Sequence, residues 1–197
     1  MALLMGVDEV GRGPLAGPVV ACACHLPPAL VAPWLAELAD SKILSPKTRK
    51  RLAGQLQAVP HAIAQASVAE IDALNIRAAS LLAMRRAVTA LAQQLGAVTV
   101  MVDGNVPIPD LAWPQQTVVG GDASVPCISA ASILAKVHRD ALMQQLHAAY
   151  PQYGWQQNAG YGSAAHLAAL RQHGATPHHR ASFAPVRAVL EGQAHAA

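Results

Sequence analysis

The 197-residue chain is 53% hydrophobic and 13% charged, so it can bury a sizeable core and extensive disorder is not expected. No apolar stretch reaches the roughly 18 residues of a membrane-spanning helix, and the apolar start meets Asp8 and Glu9 too early for a signal peptide. With a mild net charge of +3, these features predict a cytoplasmic protein that makes no membrane contact.

The first part of the chain reads as two short buried strands, at residues 3–7 and 19–25, joined by a loop over 8–18 with three glycines and two prolines. Cys22 and Cys24 share one face of the second strand, and an odd total of three cysteines favours buried, reduced thiols over a disulfide. Residues 28–38 look helical, and residues 61–68 are a third candidate strand.

A basic segment follows Ser45 and Pro46, which are suited to cap and start a helix over residues 47–56. Together with Lys42, which precedes Ser45, its cations lie within ten residues that contain no acid: Lys42, Lys47, Arg49, Lys50 and Arg51. Such a run fits a solvated helix face, and it also fits contacts to a phosphate backbone. Alone, the run does not separate the two interpretations.

The second part of the chain alternates helices with strands. Apolar residues recur at helical spacing over 77–95, Gly96 stops that helix, and a buried strand follows over 98–102. A short strand at 116–119, a long helix at 126–149, a loop at 151–162 and a helix at 163–173 complete the pattern.

This order predicts an α/β protein with a mixed central sheet, helices on both faces and a C-terminal helical extension. We expect a single catalytic domain over 1–197. Its core covers about 1–150, the C-terminal loop and helices cover about 151–190, and a flexible tail covers 191–197.

Four of the eleven acids stand where predicted strands leave the sheet. Asp8 and Glu9 follow the first strand, Asp103 ends a buried strand, and Asp122 comes just after another. Ligands bind at such carboxyl edges in open α/β sheets, so we expect these acids to meet at one rim if the strands are neighbours.

Clustered carboxylates repel one another unless cations neutralise them. A set of oxygen ligands without His or Cys suits Mg²⁺ or Mn²⁺, and two such ions about 4 Å apart can activate water and stabilise the leaving oxygen of a phosphodiester. The alternative is that Asp8, Asp103 and Asp122 only cap or begin turns. Four acids at four such positions favour the metal site.

Several separated motifs, in order along residues 6 to about 186, resemble bacterial ribonuclease HII, the type 2 ribonuclease H. The N-terminal one is GVDEVGRGPLAGPVV, and DSKILS, VDGN and GD follow it. The long-helix motif is ISAASILAKV, and the C-terminal ones are GYG and HRASFAPV.

The resemblance implies a ribonuclease H-like fold and an endoribonuclease that hydrolyses the RNA strand of RNA/DNA hybrids. It also implies cleavage 5′ of single ribonucleotides in duplex DNA, leaving 3′-hydroxyl and 5′-phosphate ends. By the same resemblance, the metal-binding and catalytic residues are Asp8, Glu9, Asp103 and Asp122. The implied substrate contacts are Gly11, Arg12, Gly13 and Tyr161, and Lys42 is expected to hold phosphates. We expect a monomer.

The chain departs from the family pattern at Gly120 and Ala159, where lysine is common, and at His138, where threonine is frequent. None of these positions is one of the four acids. We expect the departures to affect how the substrate is held or which substrate is preferred.

Other interpretations are weaker. The Gly11–Ala16 segment formally matches a dinucleotide-binding fingerprint, but strand-forming residues follow it instead of a helix. The nine histidines lack zinc-site spacing, so we expect them at the surface or near phosphates, with His178, His179 and Arg180 gripping a duplex. Trp155 is predicted to be a packing anchor.

Two competing functions stay open at this point. A hybrid-binding module without catalysis would keep the basic helix and the glycine loop and would tolerate loss of the acids. A nuclease of the same fold could instead act on DNA.

Overall fold

A computed structural model describes residues 2–39 and 41–194. Its central element is one five-stranded sheet with strand order β3-β2-β1-β4-β5. β1 pairs antiparallel with β2 and parallel with β4, and β4 pairs parallel with β5. The strands are β1 (Leu3–Val10), β2 (Val19–Cys24), β3 (His61–Ala66), β4 (Val98–Asp103) and β5 (Gln115–Val118). The predicted mixed α/β fold is confirmed.

The described residues contain eight α-helices, among them those predicted over 47–56, 77–95, 126–149 and 163–173. They are α1 (Pro46–Leu56), α2 (Val68–Leu74), α3 (Ile76–Leu95), α4 (Gly121–Ser124), α5 (Pro126–Ala149), α6 (Trp155–Asn158), α7 (Ala164–His173) and α8 (Ala184–Ala194). Short 3₁₀ helices occur at Pro33–Glu37 and Pro151–Tyr153. The predicted flexible tail falls partly on α8, and residues 195–197 lie outside the described residues.

Local capping fixes several helix starts. The Ser45 side chain accepts a hydrogen bond from the Thr48 amide at 3.1 Å, which starts α1 as predicted. Ser67 and Glu70 form a reciprocal capping box that starts α2. α2 was not predicted although its Ser-x-x-Glu signal is present in the sequence, and the strand predicted over 61–68 therefore extends two residues beyond β3.

Two further boundaries differ from the predictions. The helix predicted over 28–38 is only the 3₁₀ helix Pro33–Glu37. The first strand does not end at Val7, because Asp8, Glu9 and Val10 pair with Cys22, Ala21 and Val20 of β2. The antiparallel partner thus keeps Asp8 and Glu9 within β1, where the sequence placed them in the following loop.

The described residues divide into two compact units. The first contains residues 2–10, 20–39, 41–65 and 80–137, and the second contains residues 11–19, 66–79 and 138–194. Each unit is therefore assembled from separate stretches of chain. The single catalytic domain expected over 1–197 stays a prediction.

The core of the first unit lies on the central strands. The residues of β2 that belong to this unit, 20–24, are all buried, and Met5, Val7, Val100 and Val102 are fully buried in β1 and β4. A Cβ at Gly6 would lie 2.4 Å from the Cys127 carbonyl carbon, so the start of α5 packs directly on β1. All three cysteines are buried and free, in agreement with the predicted buried thiols.

Aromatic rings form much of the core of the second unit. Tyr153 and Trp155 stack with ring centroids 5.1 Å apart, and both are almost fully buried. Trp155 is therefore the packing anchor that the sequence predicted. Within the described residues, no helix has the length and apolar character needed to cross a bilayer.

Candidate metal centre

Asp8 and Asp103 are brought side by side by the register of two parallel strands of the first unit. Val7 of β1 is aligned with Val102 of β4, so the next residue of each strand is an aspartate. Residues at aligned positions of neighbouring strands project from the same face of the sheet. Sheet register therefore builds the first half of the site.

Asp122 reaches the same place from the segment after β5. Gly120 adopts a left-handed conformation (φ +66°) and ends the strand segment, and the short helix α4 starts at Gly121. The Asp122 amide donates to Asp103 Oδ1 at 3.3 Å, and Ser129 Oγ donates to the Asp122 carbonyl at 2.7 Å. These bonds fix the segment against β4 and the first turns of α5.

One ligand oxygen from each of Asp8, Asp103 and Asp122 lies within 4.8 Å of the others. Asp8 and Asp122 are buried and Asp103 is partly exposed, so the group opens to solvent on the Asp103 side. The expected meeting of these three acids at one rim of the sheet is therefore present.

The electrostatics of the group are unfavourable without a cation. Burial, followed by the charges of Glu9 and Asp103, raises the pKa of Asp8 well above its ordinary value. Burial and the charge of Asp122 also raise the pKa of Asp103, although hydrogen bonds from the Asp122 and Gly121 amides and the charge of Lys42 oppose this. Such a group is stabilised by binding a positive ion.

Glu9 is not one of the three carboxylates whose ligand atoms lie close to one another. It is the neighbour of Asp8 within β1, and successive strand side chains point to opposite faces of the sheet. The group of mutually close ligand atoms does not include it, but its charge contributes to the raised pKa of Asp8. Its predicted role as a fourth metal ligand stays a proposal.

Lys42 approaches the group from the segment before α1. Its Nζ lies 3.4 Å from Asp122 Oδ2, and its side chain is 77% exposed while that of Asp122 is 11% exposed. An exposed ion pair of this kind is weak. Lys42 can therefore exchange this contact for a phosphate oxygen.

Other members of the basic segment differ in role. Arg49 is buried, and it donates to the carbonyls of Ser41 and Leu44 at 2.8 and 2.9 Å. It therefore supports the Lys42 loop and does not lie on a solvated face or reach phosphates. Lys47, Lys50 and Arg51 are exposed, and Arg51 pairs with Glu37.

Two serines of α5, Ser129 and Ser132, support the site. Ser129 holds the Asp122 carbonyl, and a hydrogen bond from Ser132 lowers the pKa of Asp8 against the larger effect of burial. Ser132 Oγ also lies 2.9 Å from Ser41 Oγ, within hydrogen-bonding distance. The sequence signal was weak, because small residues on a buried helix face are common without any polar role.

The donors present fit a hard divalent ion. They are carboxylate oxygens, are close enough to share one ion, and carry a charge that the fold does not fully neutralise. Mg²⁺ and Mn²⁺ prefer such ligands, and Zn²⁺ prefers His and Cys. A cation held at this rim could act as a Lewis acid on a bound phosphodiester.

The residues expected to contact substrate lie in the second unit, except Lys42. Gly11 is buried, whereas Arg12, Gly13 and Tyr161 are exposed. A Cβ at Gly13 would lie 3.4 Å from Cε1 of Tyr161, so the tyrosine ring lies against the glycine backbone. The structure thus brings the predicted loop and the predicted tyrosine together.

Two histidines in this unit are buried, which is contrary to the expectation of surface or phosphate-contacting positions. The Thr176 amide donates to His179 Nδ1 at 3.0 Å, His179 Nε2 lies 3.1 Å from His166 Nε2, and His166 Nδ1 lies 2.8 Å from the Tyr161 carbonyl. Burial, with the charges of His166 and His178, lowers the pKa of His179 to about 4. The neutral pair therefore supports the Tyr161 segment from inside.

The expected duplex grip by His178, His179 and Arg180 is wrong for two of its members. His179 is 3% exposed and Arg180 is fully buried, so neither can reach a duplex. Arg180 instead bonds to main-chain carbonyls of the loop that begins at Gly11. The sequence could not show this, because buried arginine is rare and its partners are far away along the chain.

Comparison with known proteins gives a consistent assignment. The family described as Ribonuclease HII matches residues 5–186. A ribonuclease HII of Thiobacillus denitrificans is 54% identical over 190 residues, which cover 95% of this chain and 90% of that protein.

Solved structures show the same fold. The ribonuclease H2 of Pyrococcus horikoshii superposes with a TM-score of 0.78 at 24% identity, covering 96% of this chain and 97% of that one. The structure of Bst-RNase HIII in complex with Mn²⁺ superposes with a TM-score of 0.76 at 20% identity, covering 96% of this chain and 70% of that one.

Proposed function

The chain belongs to the ribonuclease HII family, and on that premise we propose that it is a divalent-metal-dependent endoribonuclease acting on RNA paired with DNA. It hydrolyses the RNA strand of RNA/DNA hybrids and cuts 5′ of single ribonucleotides in duplex DNA. The products carry 3′-hydroxyl and 5′-phosphate ends. The observation that supports this most directly is the convergence of Asp8, Asp103 and Asp122 within 4.8 Å.

In this proposal Asp8 and Asp103 would contribute to both of two sites for Mg²⁺ or Mn²⁺, and Glu9 and Asp122 would complete these sites. When bound, such a pair supplies an activated water and stabilises the charge on the leaving 3′ oxygen. The oxygen-only donor set supports both ions, and the Mn²⁺ complex of Bst-RNase HIII supports manganese by analogy of fold.

The chain's own residues orient the acids and hold the substrate. Ser129 and the Asp122 amide keep two of the aspartates in place, and Lys42 holds a phosphate next to them. Gly11, Arg12 and Gly13 approach the ribose closely with their backbone, and Tyr161 packs on the adjoining sugar. The 2′-hydroxyl is the group that such contacts can use to separate RNA from DNA.

The partner is therefore an RNA/DNA hybrid or a DNA duplex that contains a ribonucleotide. The monomeric state, the cytoplasmic location and the lack of membrane contact stay predictions from the sequence. So does the effect of Gly120, His138 and Ala159 on substrate preference.

A cleavage assay with two labelled substrates tests the proposal. An RNA/DNA hybrid and a DNA duplex with one ribonucleotide are each incubated with Mg²⁺, Mn²⁺ or EDTA, and the ends of the products are mapped. We expect cleavage only with metal, with a 5′-phosphate on the ribonucleotide side. Asp103→Asn should bind the duplex and cut neither substrate, whereas the exposed Asp110→Asn should cut both at the wild-type rate.

The outcomes separate the alternatives. Binding without fragments under all metal conditions would indicate the non-catalytic hybrid-binding module. Fragments from an all-DNA duplex at a comparable rate would indicate a DNA nuclease of this fold. Near-normal turnover by Asp103→Asn would contradict the assigned chemistry.

A further inference from the structure

The loop Gly11–Pro18 is held from inside by the buried side chain of Arg180. Its Nη1 donates to the Arg12 carbonyl at 2.8 Å, and its Nη2 donates to the Gly11 and Gly17 carbonyls at 2.6 and 2.9 Å. Its Nε donates to the Gly17 carbonyl at 3.0 Å, and its main-chain amide donates to the Leu15 carbonyl at 2.8 Å. One residue thus binds four carbonyls of the loop.

A second buried arginine, Arg139 of α5, binds the other end of the loop. Its Nε and Nη2 donate to the carbonyls of Pro18 and Ala16, both at 3.1 Å, and its Nη1 donates to the Ala159 carbonyl at 2.9 Å. Ala159 stands two residues before Tyr161 in the chain. Arg139 therefore ties the loop to the segment that carries the tyrosine.

The direction of these hydrogen bonds determines which backbone groups of the loop point outward. In a trans peptide unit the N–H points opposite to the C=O. The carbonyls of Gly11 and Arg12 point inward to Arg180, so the amides of Arg12 and Gly13 point away from it, and both residues are exposed. Outward amides on an exposed loop are donors suited to sugar and phosphate oxygens.

Packing alone does not require charged side chains, yet two arginines occupy this part of the fold. Both arginines are fully buried. Burial and the charge of Arg139 lower the pKa of Arg180 only to about 9, so Arg180 remains charged at neutral pH. Buried charges are costly unless hydrogen bonds compensate them, and here carbonyl dipoles of the loop provide that compensation.

We propose that Arg180 and Arg139 are positioning residues that hold the Gly11–Pro18 loop in the conformation that recognises a ribonucleotide, and that they thereby set the preference for ribose over deoxyribose. The part of the inference that concerns ribose preference rests on the proposed function. The hydrogen bonds by which the two arginines hold the loop do not depend on activity. Neither arginine touches substrate, so each acts through the loop.

The test compares Arg180→Lys with wild type and with Arg187→Met, an exposed arginine of α8 in the same unit. Lysine keeps the charge, but its donors are all on one nitrogen, so it cannot reproduce the planar fork whose three nitrogens bind the carbonyls of Gly11, Arg12 and Gly17. Amide hydrogen exchange of residues 11–18 reports the loop without any need for activity. Binding of a ribonucleotide-containing duplex against an all-DNA duplex, in EDTA, reports ribose preference.

We expect loop amides to exchange about tenfold to a hundredfold faster in Arg180→Lys, the change expected from loss of a hydrogen bond to a charged group. The ratio of affinities for the two duplexes should fall by about tenfold or more, on the same reasoning. The thermal shift produced by Mn²⁺ should match wild type, because the aspartates lie in the other unit. Arg187→Met should leave all three readouts unchanged.

Wild-type exchange rates or a wild-type affinity ratio in Arg180→Lys would overturn the inference. If Arg180→Lys does not fold, Arg139→Lys is measured in the same way and judged by the same results. A wild-type protein that cuts neither labelled duplex with metal would overturn the proposed function. The inference would then be decided by the loop exchange rates alone.

Discussion

Replacing Asp8 with asparagine should stabilise the metal-free protein. Asp8 is 5% exposed, and its ligand oxygen lies within 4.8 Å of those of Asp103 and Asp122. Burial and the neighbouring charges of Glu9 and Asp103 raise its pKa. Asparagine has nearly the same shape and keeps the oxygen that accepts the Glu9 amide at 2.7 Å. The substitution therefore removes mainly the charge.

The expected gain in the free energy of unfolding follows from the distance between the carboxylates. Two unit charges separated by 4.8 Å repel by about 1 kcal/mol in water and by about 3.5 kcal/mol at an effective dielectric constant of about 20. Because the pair lies at a rim that is partly open to solvent, we expect the free energy of unfolding to rise by about 1 to 3 kcal/mol in Asp8→Asn at pH 8 with EDTA.

The effect has a defined pH dependence. With a folded-state pKa above the ordinary value of 3.8, Asp8 binds more protons in the native than in the unfolded state between these two pKa values. The free energy of unfolding of the wild type should therefore fall as pH rises through that window, by at most about 1.4 kcal/mol per pH unit for one proton. In Asp8→Asn this contribution to the decline should be absent.

Urea unfolding in EDTA between pH 4 and pH 8 measures the difference, with Asp110→Asn as the matched control. Asp110 is 85% exposed and pairs with Arg85 at 3.3 Å, so losing its charge should change stability by less than about 1 kcal/mol. Adding Mn²⁺ at about 100 times its dissociation constant should stabilise the wild type by about 2.7 kcal/mol and Asp8→Asn by less. A metal-free wild type at least as stable as Asp8→Asn at pH 8 would refute the reasoning.

Two further predictions concern the loop and the lysine. Gly11→Ala should lower the free energy of unfolding by about 1 to 3 kcal/mol more than Gly96→Ala. Both glycines have positive φ, but a Cβ at Gly11 would lie 2.1 Å from Arg139 Nε, whereas Gly96 faces open space. If urea unfolding showed the same loss of stability in both variants, a steric clash at Gly11 would be contradicted. Lys42→Met should raise KM for a hybrid and leave kcat and stability nearly unchanged. It should also reduce by about 1 the slope of the logarithm of the binding constant against the logarithm of the salt concentration. An unaltered salt slope would show that Lys42 does not hold a phosphate.

The sequence was informative wherever a signal is local. Asp103, which interrupts an apolar run, marked the end of β4, and Ser45 followed by Pro46 marked the start of α1. The capping box at Ser67 was equally local and was overlooked. These features depend on neighbouring residues, so the backbone conformation they favour can be read without knowledge of distant contacts.

Only the tertiary structure decided how those pieces meet. β2 extended β1 past Asp8, and register with β4 set Asp8 beside Asp103. Arg180 bonds to carbonyls more than 160 positions away in the chain. Nothing in the residues around an arginine indicates such a partner, because its burial depends on which distant carbonyls the folded chain places within reach.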